Sequence, residues 1–390
     1  MSAFGNLLGI RVTLLIGREA VVTPAPFAVM EAIEEIEVRQ STEADSGFKL
    51  TLLAGRNGPL GALGPPFVDD IRYQRGARVA LTVWNGVKPT PIFDGIVTKT
   101  QYVPGTSEAE GRYVMLGRDL SWIMDREQKR AQHPAQDETA ITYKLAAQYA
   151  IYGILPVVMP PQVIDPPIPV DRTPQQTCSD LAYLKKLAKC QGYKVFVEPG
   201  PAPGMSQLYF GPVPRPGIPQ KPISVNLGPT TDAYDVNVEH DGQALTAARA
   251  RVHDRATGQV VPLEIPTATT VPQSALSDAL TQIGNMNTKE LQTSGLNAAQ
   301  VLGRLMATVN KSAEKVVKVT GSIDNARYNA VLKPYYAVQI RGLGMIYDGP
   351  YTVAEVRHLF KPGEYTQTFQ LQREGLYPVL PLVAPEVSPI

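Results

Sequence analysis

The stretch ARVALTVWNGVKPTPIFDGIVTKTQYV, residues 77–103, decides the fold. Residues 77–86 and 92–103 carry apolar or alternating patterns, and Gly, Pro and Asn separate them. Such a pattern predicts two short β-strands joined by a turn. Asp94-Gly95 follows the aromatic Phe93. Because Asp-Gly tolerates the positive φ of a tight turn, we expect a turn here, with the aromatic ring packed on the sheet.

The same succession of residues returns near the end of the chain. YYAVQIRG, residues 335–342, precedes Tyr347-Asp348-Gly349 and the strand pattern YTVAEV. An arginine follows the aromatic residue by 25 positions in the first copy (Arg118) and by 26 in the second (Arg373). A single Asp-Gly turn is common in β proteins, but two copies in similar context indicate a duplication. We therefore expect two related β domains, with helical segments inserted before and inside the second.

Further strand patterns support this fold class. They lie at residues 10–17, 33–40, 47–55 and 112–119 in the first part of the chain, and short strands at this spacing are typical of a small barrel or sandwich. The predicted fold is α+β and mainly β. It consists of two related antiparallel β-barrel domains with inserted helical and α+β segments.

The chain has 390 residues, too many for one ordinary core, and changes in composition predict its divisions. Residues 1–118 form the first β-barrel domain. Residues 119–222 form an inserted α+β domain with a helix–strand module and Pro-rich connectors, including 155–174. Residues 223–255 and 313–376 form the second β-barrel domain, residues 256–312 a helical insertion, and residues 377–390 a Pro-rich tail.

Helices are predicted at residues 139–152, ended by Gly153, and within residues 271–312. In the second of these, Asn297 and Gln300 are spaced as a capping box. An apolar stripe follows the box, made of Val301, Leu302, Leu305, Met306 and Val309.

The stretch DLAYLKKLAKCQGYKVFVEPG, residues 180–200, reads as a helix followed by a strand. Thr177 and Asp180 are spaced as N-cap and third helical residue, and Gly192 suits a left-handed stop. The strand is expected to pair with LYF, residues 208–210. Three lysines, Lys185, Lys186 and Lys189, could touch nucleic acid, but a solvated helix face is favoured over that alternative.

Composition excludes several classes of function. Lys and Arg number 37 against 36 Asp and Glu, a net charge of +1, whereas nucleic-acid binders usually carry a basic excess. The longest apolar run, residues 149–161, is too short to span a bilayer. The N-terminus lacks a basic region and a cleavage site. We expect synthesis in the cytoplasm without a signal peptide, no membrane partner and no sequence-specific nucleic acid.

No catalytic, cofactor-binding or metal-binding residue is predicted. Two cysteines, Cys178 and Cys190, form no disulfide framework. The four histidines, His133, His240, His253 and His358, have no metal-ligand spacing and are interpreted as structural. A glycosidase needs two carboxylates across a cleft, but the adjacent pairs Glu34-Glu35 and Asp69-Asp70 should point to opposite faces of a strand or lie in a turn.

The two tryptophans leave an alternative open. Trp84 and Trp122 could stack on a sugar or a base, or they could anchor domain cores and subunit contacts. On the strand TVAEVRHLF, Glu355 and Arg357 share one face, which suits a polar channel wall.

The order of these segments resembles the phage tail baseplate hub family. This family includes the late control protein D group and the hub part of contractile injection system and type VI secretion spikes. The matching segments are ARVALTVWNG with IFDGIV (77–97), MLGRDLSWIMD (115–125), DLAYLKKLAKCQGYKVFV with LYFGP (180–212), and YYAVQIRG through YTQTFQLQRE (335–374). The resemblance covers about residues 77–374.

The resemblance implies a structural, non-enzymatic virion component. In this family three chains form a homotrimer, and their two tube-like β-barrel domains build a pseudo-sixfold ring beneath the hexameric tail tube. The opposite face holds a trimeric spike. The implied partners are the tail tube protein, a separate spike protein and other baseplate proteins, with no cofactor.

Two alternatives remain at this stage. One is a hub with an additional cell-wall-degrading activity, although no lysozyme or metallopeptidase motif is evident. The other is a multidomain carbohydrate-binding β protein. No glycine-rich spike repeat follows the second β region, so a spike is expected to be a separate chain. A phage, a secretion apparatus and an extracellular injection particle fit the sequence equally well.

Overall fold

The computed structural model of the chain describes residues 10–18, 21–55, 67–106, 110–161, 173–213, 219–242, 244–253, 259–267, 274–277, 287–293, 296 and 298–378. No described helix has the length and apolar character needed to span a membrane.

The first part of the chain contains all six strands that its sequence pattern predicts. Its elements are β1 (Ile10–Arg18), β2 (Val21–Pro24), α1 (Phe27–Glu31), β3 (Ile33–Ser41), β4 (Gly47–Leu53), β5 (Ala77–Asn85), β6 (Lys88–Val103) and β7 (Arg112–Asp119), with a 3₁₀ turn at Ile71–Tyr73. The alternation of apolar and polar residues fixes which face of each strand is buried. Strand β2 and helix α1 were not predicted.

The middle of the chain forms a small α+β unit. It comprises α2 (Ser121–Met124), β8 (Ala131–Gln132), α3 (Glu138–Ala147), a 3₁₀ turn at Ala150–Tyr152, β9 (Ile154–Val158), β10 (Gln175–Gln176), α4 (Asp180–Gln191), β11 (Lys194–Pro199) and β12 (Ser206–Gly211). Gly153 and Gly192 end their helical segments in the left-handed conformation, with φ of 75° and 70°, as predicted. Strand β11 pairs with β12, which contains the predicted LYF segment.

The last part of the chain holds the second set of strands. Its elements are β13 (Gln220–Ser224), a 3₁₀ turn at Gly228–Thr230, β14 (Ala233–His240), β15 (Thr246–His253), β16 (Val260–Ile265), β17 (Ser274–Ser277), β18 (Asn287–Glu290), α5 (Ala298–Ala313), β19 (Val317–Asp324), α6 (Asn325–Tyr328), β20 (Ala337–Arg341), β21 (Gly349–Lys361), β22 (Glu364–Arg373) and β23 (Gly375–Pro378).

One 13-stranded sheet joins the two β regions. Its main path runs β14-β19-β22-β21-β3-β4-β7-β6-β5-β1-β2, with β20 beside β21 and β13 beside β20. The halves meet where residues 355–360 of β21 pair antiparallel with residues 36–41 of β3. The mainly β, α+β fold class is confirmed. The described ladders do not close either half into a full barrel. In the second half an isolated bridge joins Val225, which follows β13, to Ala233, which begins β14.

The two halves repeat the same strand order. The path β3-β4-β7-β6-β5 in the first half matches β14-β19-β22-β21-β20 in the second. A β-bulge also recurs at the same place, between Val97 and Lys99 on β6 and between Val353 and Glu355 on β21. The duplication inferred from sequence is therefore present in the fold.

The aromatic-Asp-Gly triplets, however, do not occupy equivalent positions. When the two halves are aligned on their bulges, Lys99 corresponds to Glu355. Asp94 therefore corresponds to Pro350 rather than to Asp348. The positive φ expected of an Asp-Gly pair occurs at Gly349, at 114°, where β21 begins just after a turn at 345–347, whereas the predicted turn is wrong for Asp94-Gly95, which lies inside β6. Gly95 is required there for close approach instead, because a Cβ atom would lie 2.2 Å from the Arg118 carbonyl oxygen.

The helix–strand module departs from its sequence prediction at one end. Ser179, rather than Thr177, caps α4, and its hydroxyl accepts a hydrogen bond from the Ala182 amide. Asp180 begins the helix and is fully buried, where Lys129 pairs with it. The stop at Gly192 and the exposure of the three lysines are as predicted.

Two segments contain strands that the sequence analysis did not place. The Pro-rich connector predicted at 155–174 begins inside β9, which pairs parallel with β12, while residues 162–172 lie outside the described residues. Within 271–312, helix α5 begins only at Ala298, after β17 and β18. Asn297 of the predicted capping box also lies outside the described residues, as does the tail beyond Pro378.

Strand β15 does not join the large sheet, although its sequence was grouped with the second β region. It lies in a separate sheet of order β16-β15-β18. Helix α5 covers this sheet with its predicted apolar stripe, in which Val301, Leu305 and Val309 are buried. Ala248 and Ala250 leave room for the helix, so the small residues of β15 fit helix packing rather than a barrel wall.

A buried ion pair fastens the inserted unit to the first β region. The Arg78 guanidinium donates to both oxygens of Asp94, at 2.8 and 2.6 Å, and both side chains are almost inaccessible. Arg78 also donates to the carbonyl oxygens of Tyr152 and Gly204, at 3.0 Å each. Ser206 donates to Asp94 at 2.9 Å, so strands β5, β6 and β12 share one hydrogen-bond network.

Tyr335 joins all three parts of the molecule. Its ring stacks on Phe196 of the inserted unit, with ring centroids 3.4 Å apart. Its hydroxyl donates to the Ser41 carbonyl of β3 at 3.0 Å, and its amide donates to the Val353 carbonyl of β21 at 2.9 Å. Its φ is 70°, an unusual value for a tyrosine, and these contacts hold the residue in that strained conformation.

His358 is buried on β21 at the joint between the halves. Its side chain has no solvent exposure, and Nδ1 lies 2.9 Å from the Tyr365 hydroxyl. Burial in an apolar environment disfavours the charged imidazolium and lowers the pKa of His358 to about 3. The folded protein therefore holds a neutral histidine here at ordinary pH.

Removing one member of the buried pair should destabilise the protein strongly. We expect Arg78→Ala to lower the free energy of unfolding by about 3–5 kcal/mol, because Asp94 would stay buried without its partner. Urea unfolding followed by tryptophan fluorescence measures this loss. Arg112→Ala removes a half-exposed pair with Glu34 and should cost about 0–1 kcal/mol. Equal effects of the two substitutions would contradict a structural role for the buried pair.

His358 should make stability fall as the pH is lowered. Unfolding restores an ordinary histidine pKa near 6.5, so the unfolded chain binds one more proton between pH 6.5 and about 3. Stability then decreases by about 1.4 kcal/mol per pH unit in this window, or about 2 kcal/mol between pH 7 and pH 5. Urea titrations should show a flatter pH profile for His358→Gln. Tyr365→Phe keeps the imidazole buried and should retain the wild-type slope. An unchanged slope in His358→Gln would show that His358 does not cause the pH dependence of stability.

Candidate assembly interface

Eight consecutive strands of the large sheet form a continuous antiparallel surface, here called the eight-stranded sheet. They are β14, β19, β22, β21, β3, β4, β7 and β6. One face of it is covered by the two main apolar cores. The other, its open face, carries alternate residues that are mostly polar or charged and accessible, as Glu355 and Arg357 on β21 were predicted to be, with half-exposed Val114, Leu116 and Leu359 among them. A sheet with one such face can line a water-filled space.

Ion pairs bridge the open face where the two halves meet. Arg39 of β3 binds Glu355 of β21 with two hydrogen bonds, of 2.7 and 3.0 Å, and Arg357 of β21 binds Glu37 of β3 at 2.8 Å. Arg39 and Arg357 are directly opposite in register, so each reaches diagonally to a carboxylate on the facing strand. The pairs are partly exposed and contribute little free energy, but a one-residue slip would separate them.

The adjacent carboxylates Glu34 and Glu35 also bind cations on the open face. Arg112 of β7 donates to Glu34 at 2.6 Å, and Lys49 of β4 donates to Glu35 at 3.1 Å. The prediction that they point to opposite faces is wrong, because a β-bulge between Ile33 and Glu35 interrupts the alternation. The hydrogen bond from Arg112 lowers the pKa of Glu34. Both carboxylates are thus held in salt bridges along a sheet, without the facing carboxyl arrangement of a glycosidase.

Both ends of the eight-stranded sheet present unpaired strand edges among the described residues. Strand β6 pairs with β5 as far as Ile96, and from Thr98 to Val103 that side has no strand partner. Strand β14 forms a ladder with β19 on one side, and on the other side the described residues show only the isolated bridge from Ala233 to Val225. Lys99, Gln101 and Val103 are exposed along the β6 edge, as are Asn237 and Glu239 along the β14 edge. An unpaired edge is a ready template for a strand from another chain.

The other predicted candidates are scattered over the molecule. Asp70 caps a 3₁₀ turn and binds Arg72. His240 and His253 are exposed at strand ends, whereas His133 is buried and stacks on Tyr183 with ring centroids 5.5 Å apart. Among the described residues no group of three His, Cys, Asp or Glu side chains could hold a metal ion. Cys178 and Cys190 are free thiols.

The tryptophans and lysines of the sequence analysis have structural neighbours. Trp84 donates from Nε1 to the Thr13 hydroxyl at 2.9 Å, and the Arg11 guanidinium lies 5.6 Å from its ring centroid. Trp122 packs against the core of the inserted unit. Lys185 binds Asp45 of the first β region at 3.0 Å, so one of the three lysines fastens α4 to the large sheet.

A second buried polar cluster, which no sequence pattern indicated, is centred on Asp180. Its carboxylate accepts hydrogen bonds of 2.6 Å from each of three groups: the Lys129 ammonium, the Tyr149 hydroxyl and the Gln176 amide. Burial and the neighbouring carboxylate raise the pKa of Tyr149. The four residues lie on separate elements with no fixed spacing in the sequence. Because the carboxylate has a partner on each oxygen, the cluster is suited to holding the helices together.

Comparisons with known proteins place the fold. No family model matches the chain, and a search of curated proteins found no match. Among solved structures, a tail protein from Neisseria meningitidis MC58 is 12% identical, with a TM-score of 0.62 over 94% of this chain and 98% of that one. The 43 kDa tail protein of prophage MuSo2 from Shewanella oneidensis is 12% identical, with a TM-score of 0.64 over 93% and 99%.

A third solved structure extends the likeness to secretion systems. An E. coli component of the type VI secretion system, described as similar to the bacteriophage T4 tail proteins gp27 and gp5, is 11% identical. Its TM-score is 0.53 over 90% of this chain and 77% of that one. The chain therefore has the fold of phage tail proteins and of a type VI secretion component.

Proposed function

We propose that the chain is a structural, non-enzymatic baseplate hub of a phage tail or phage-tail-like contractile injection system. It would form a trimeric ring that adapts a hexameric tail tube to a separate trimeric spike, alongside other baseplate proteins. The observation that carries this proposal is the repeat within the eight-stranded sheet. Each chain supplies two similar four-stranded units, so three chains supply six.

The repeat supports a match between two symmetries. A ring of three chains has true threefold symmetry, and its six similar units give it approximate sixfold symmetry. One side of such a ring can bind a hexameric tube while the other binds a trimer. The similarity in fold to tail proteins supports the same role.

The open face supports a role as the wall of a channel. Its carboxylates at the centre of the sheet are paired with arginine or lysine, as in the contacts of Glu34, Glu37 and Glu355. A wall whose charges are matched in this way has little net field to hold a passing polymer of either sign. The ring would therefore guide cargo by shape rather than by binding it.

The alternatives find less support in the geometry. Of the carboxylates considered for cell-wall cleavage, Glu34, Glu35 and Asp70 are engaged in salt bridges rather than facing one another across a cleft. The guanidinium of Arg11 lies over Trp84, so this ring is not a bare platform for a sugar. A hub, with or without an added activity, accounts for the repeat, whereas a carbohydrate-binding β protein does not require one.

A trimer is the expected assembly state of the purified chain. Three chains of 42.3 kDa should give a particle of about 127 kDa in native mass spectrometry. Electron microscopy should show a threefold ring with an axial channel. A particle that remains monomeric across the concentration range and shows a cleft would overturn the proposal, and peptidoglycan turnover by the pure chain would favour the hub with an added activity.

A further inference from the structure

The joint between β21 and β3 provides a template for contacts between chains. On its two sides β21 pairs with β22 and, after the bulge at Ala354, with β3. Strand β6 is its counterpart in the first half: it pairs with β7, bends at its own bulge at Thr98, and beyond that point forms no second strand ladder among the described residues. Strand β14 is the counterpart of β3, and within the described part of the chain its outer side carries no strand ladder, but only the isolated bridge from Ala233 to Val225. Strand β6 of the first half thus resembles the β21 side of the joint, and β14 of the second half resembles the β3 side.

Register fixes which residues correspond. The bulges match Lys99 with Glu355 and Gln101 with Arg357. Strands β3 and β14 are aligned through their neighbours β4 and β19. Gly47 of β4 and Lys318 of β19 occupy equivalent positions along β7 and β22. Gly47 pairs with Arg39 of β3 and Lys318 pairs with Glu239 of β14, so Arg39 corresponds to Glu239.

We propose that residues 99–103 of one chain pair antiparallel with residues 237–241 of a second copy, in the register of the β21–β3 joint, with Lys99 bound to Glu239. This inference rests on the proposed ring and names the contact that closes it. In this register Gln101 lies opposite Glu239, as Arg357 lies opposite Arg39. Val103 lies opposite Asn237, as Leu359 lies opposite Glu37.

The charges at the two joints are complementary but reversed. Within the chain, Glu355 on the β21 side binds Arg39 on the β3 side. At the corresponding places between chains, Lys99 lies on the β6 side and Glu239 on the β14 side. Both Lys99 and Glu239 are exposed in the single chain, where the Lys318 ammonium of β19 lies 3.9 Å from the Glu239 carboxylate. The second pair, Arg357 with Glu37, is replaced by the neutral amides Gln101 and Asn237.

The reversal also opposes incorrect joints. Pairing β6 with β3 would set Lys99 beside Arg39, and pairing β21 with β14 would set Glu355 beside Glu239. Like charges placed together in this way are repelled, so each edge selects its own partner although the backbones are alike. The charges of four side chains therefore favour a ring in which joints within a chain alternate with joints between chains: Lys99, Glu239, Arg39 and Glu355.

Burial on the other face agrees with a missing neighbour. Val38, in the complete joint, has no solvent exposure, whereas its counterpart Val238 is half-buried. His358 is likewise fully buried, and its counterpart Tyr102 is half-buried. Pairing of β6 with β14 would cover Val238 and Tyr102 as the corresponding residues are covered within the chain.

Disulfide trapping tests the register. We expect Val103→Cys with Asn237→Cys, in a Cys178→Ser/Cys190→Ser background, to form chains covalently linked up to a trimer under mild oxidation. Directly opposite residues have Cα atoms about 4.5–5.5 Å apart, within the range of a disulfide. Val103→Cys with Thr320→Cys is the matched control, because Thr320 lies one strand further in, opposite Asn237, and should not be linked.

Charge exchange tests the proposed ion pair. Lys99→Glu or Glu239→Lys alone should raise the concentration at which half the chains are assembled by about tenfold or more, and the double exchange should restore it to within about threefold. Lys88→Glu makes the same change at an exposed site at the other end of β6 and should leave assembly unchanged.

The outcomes separate the pairing from the ring itself. A threefold ring that forms without the expected disulfide, or that tolerates both single charge reversals, would refute the strand pairing while leaving the proposed function standing. A chain that neither assembles nor becomes cross-linked would overturn both. Cross-linking of the control pair with equal yield would show that the disulfides do not depend on pairing of β6 with β14, and it would overturn the proposed contact.

Discussion

The antiparallel ladder between β3 and β21 is the constraint on which the rest of the structure depends. It turns two duplicated units, far apart in the sequence, into one continuous sheet. Its backbone hydrogen bonds supply the connection, while Arg39, Glu37, Glu355 and Arg357 penalise any slip in register. Since side chains alternate strictly between faces, a slip of one residue would also move the apolar core residues of both halves into water.

Buried polar groups then hold the inserted unit against this sheet. Arg78 and Asp94 link β5 and β6 to the loop before β12, and Tyr335 contacts the inserted unit and both halves of the sheet. Apolar packing alone would allow several neighbouring arrangements of similar free energy. A buried ion pair and a buried hydroxyl accept only one geometry, because a displaced polar group loses its hydrogen bonds without regaining water.

Strands were predictable where alternation was the dominant signal, and helices where glycine stops and apolar stripes were clear. Prediction failed where the same local signal has two meanings. Asp-Gly suits a turn at Gly349, but at Asp94 the carboxylate is required for Arg78, which is 16 residues away. Proline density hid strand β9 at the start of the Pro-rich connector, because an extended strand tolerates proline when its amide is not needed for the ladder. Small apolar residues of β15 looked like barrel wall, but α5 packs on them.

The sequence by itself determined the mainly β class and the lack of a readable catalytic or metal motif, because these depend on local periodicity and spacing. It also indicated the duplication, although the triplets that suggested it do not occupy equivalent positions in the two halves. It could not determine which strands become neighbours across the two halves, since that pairing joins residues more than 300 positions apart. Only the tertiary structure placed Glu34 and Glu35 on one face, buried Asp180 among three donors, and left β6 and β14 with open edges. The physical reason is that register, bulges and burial are decided by contacts between strands, which no single segment contains.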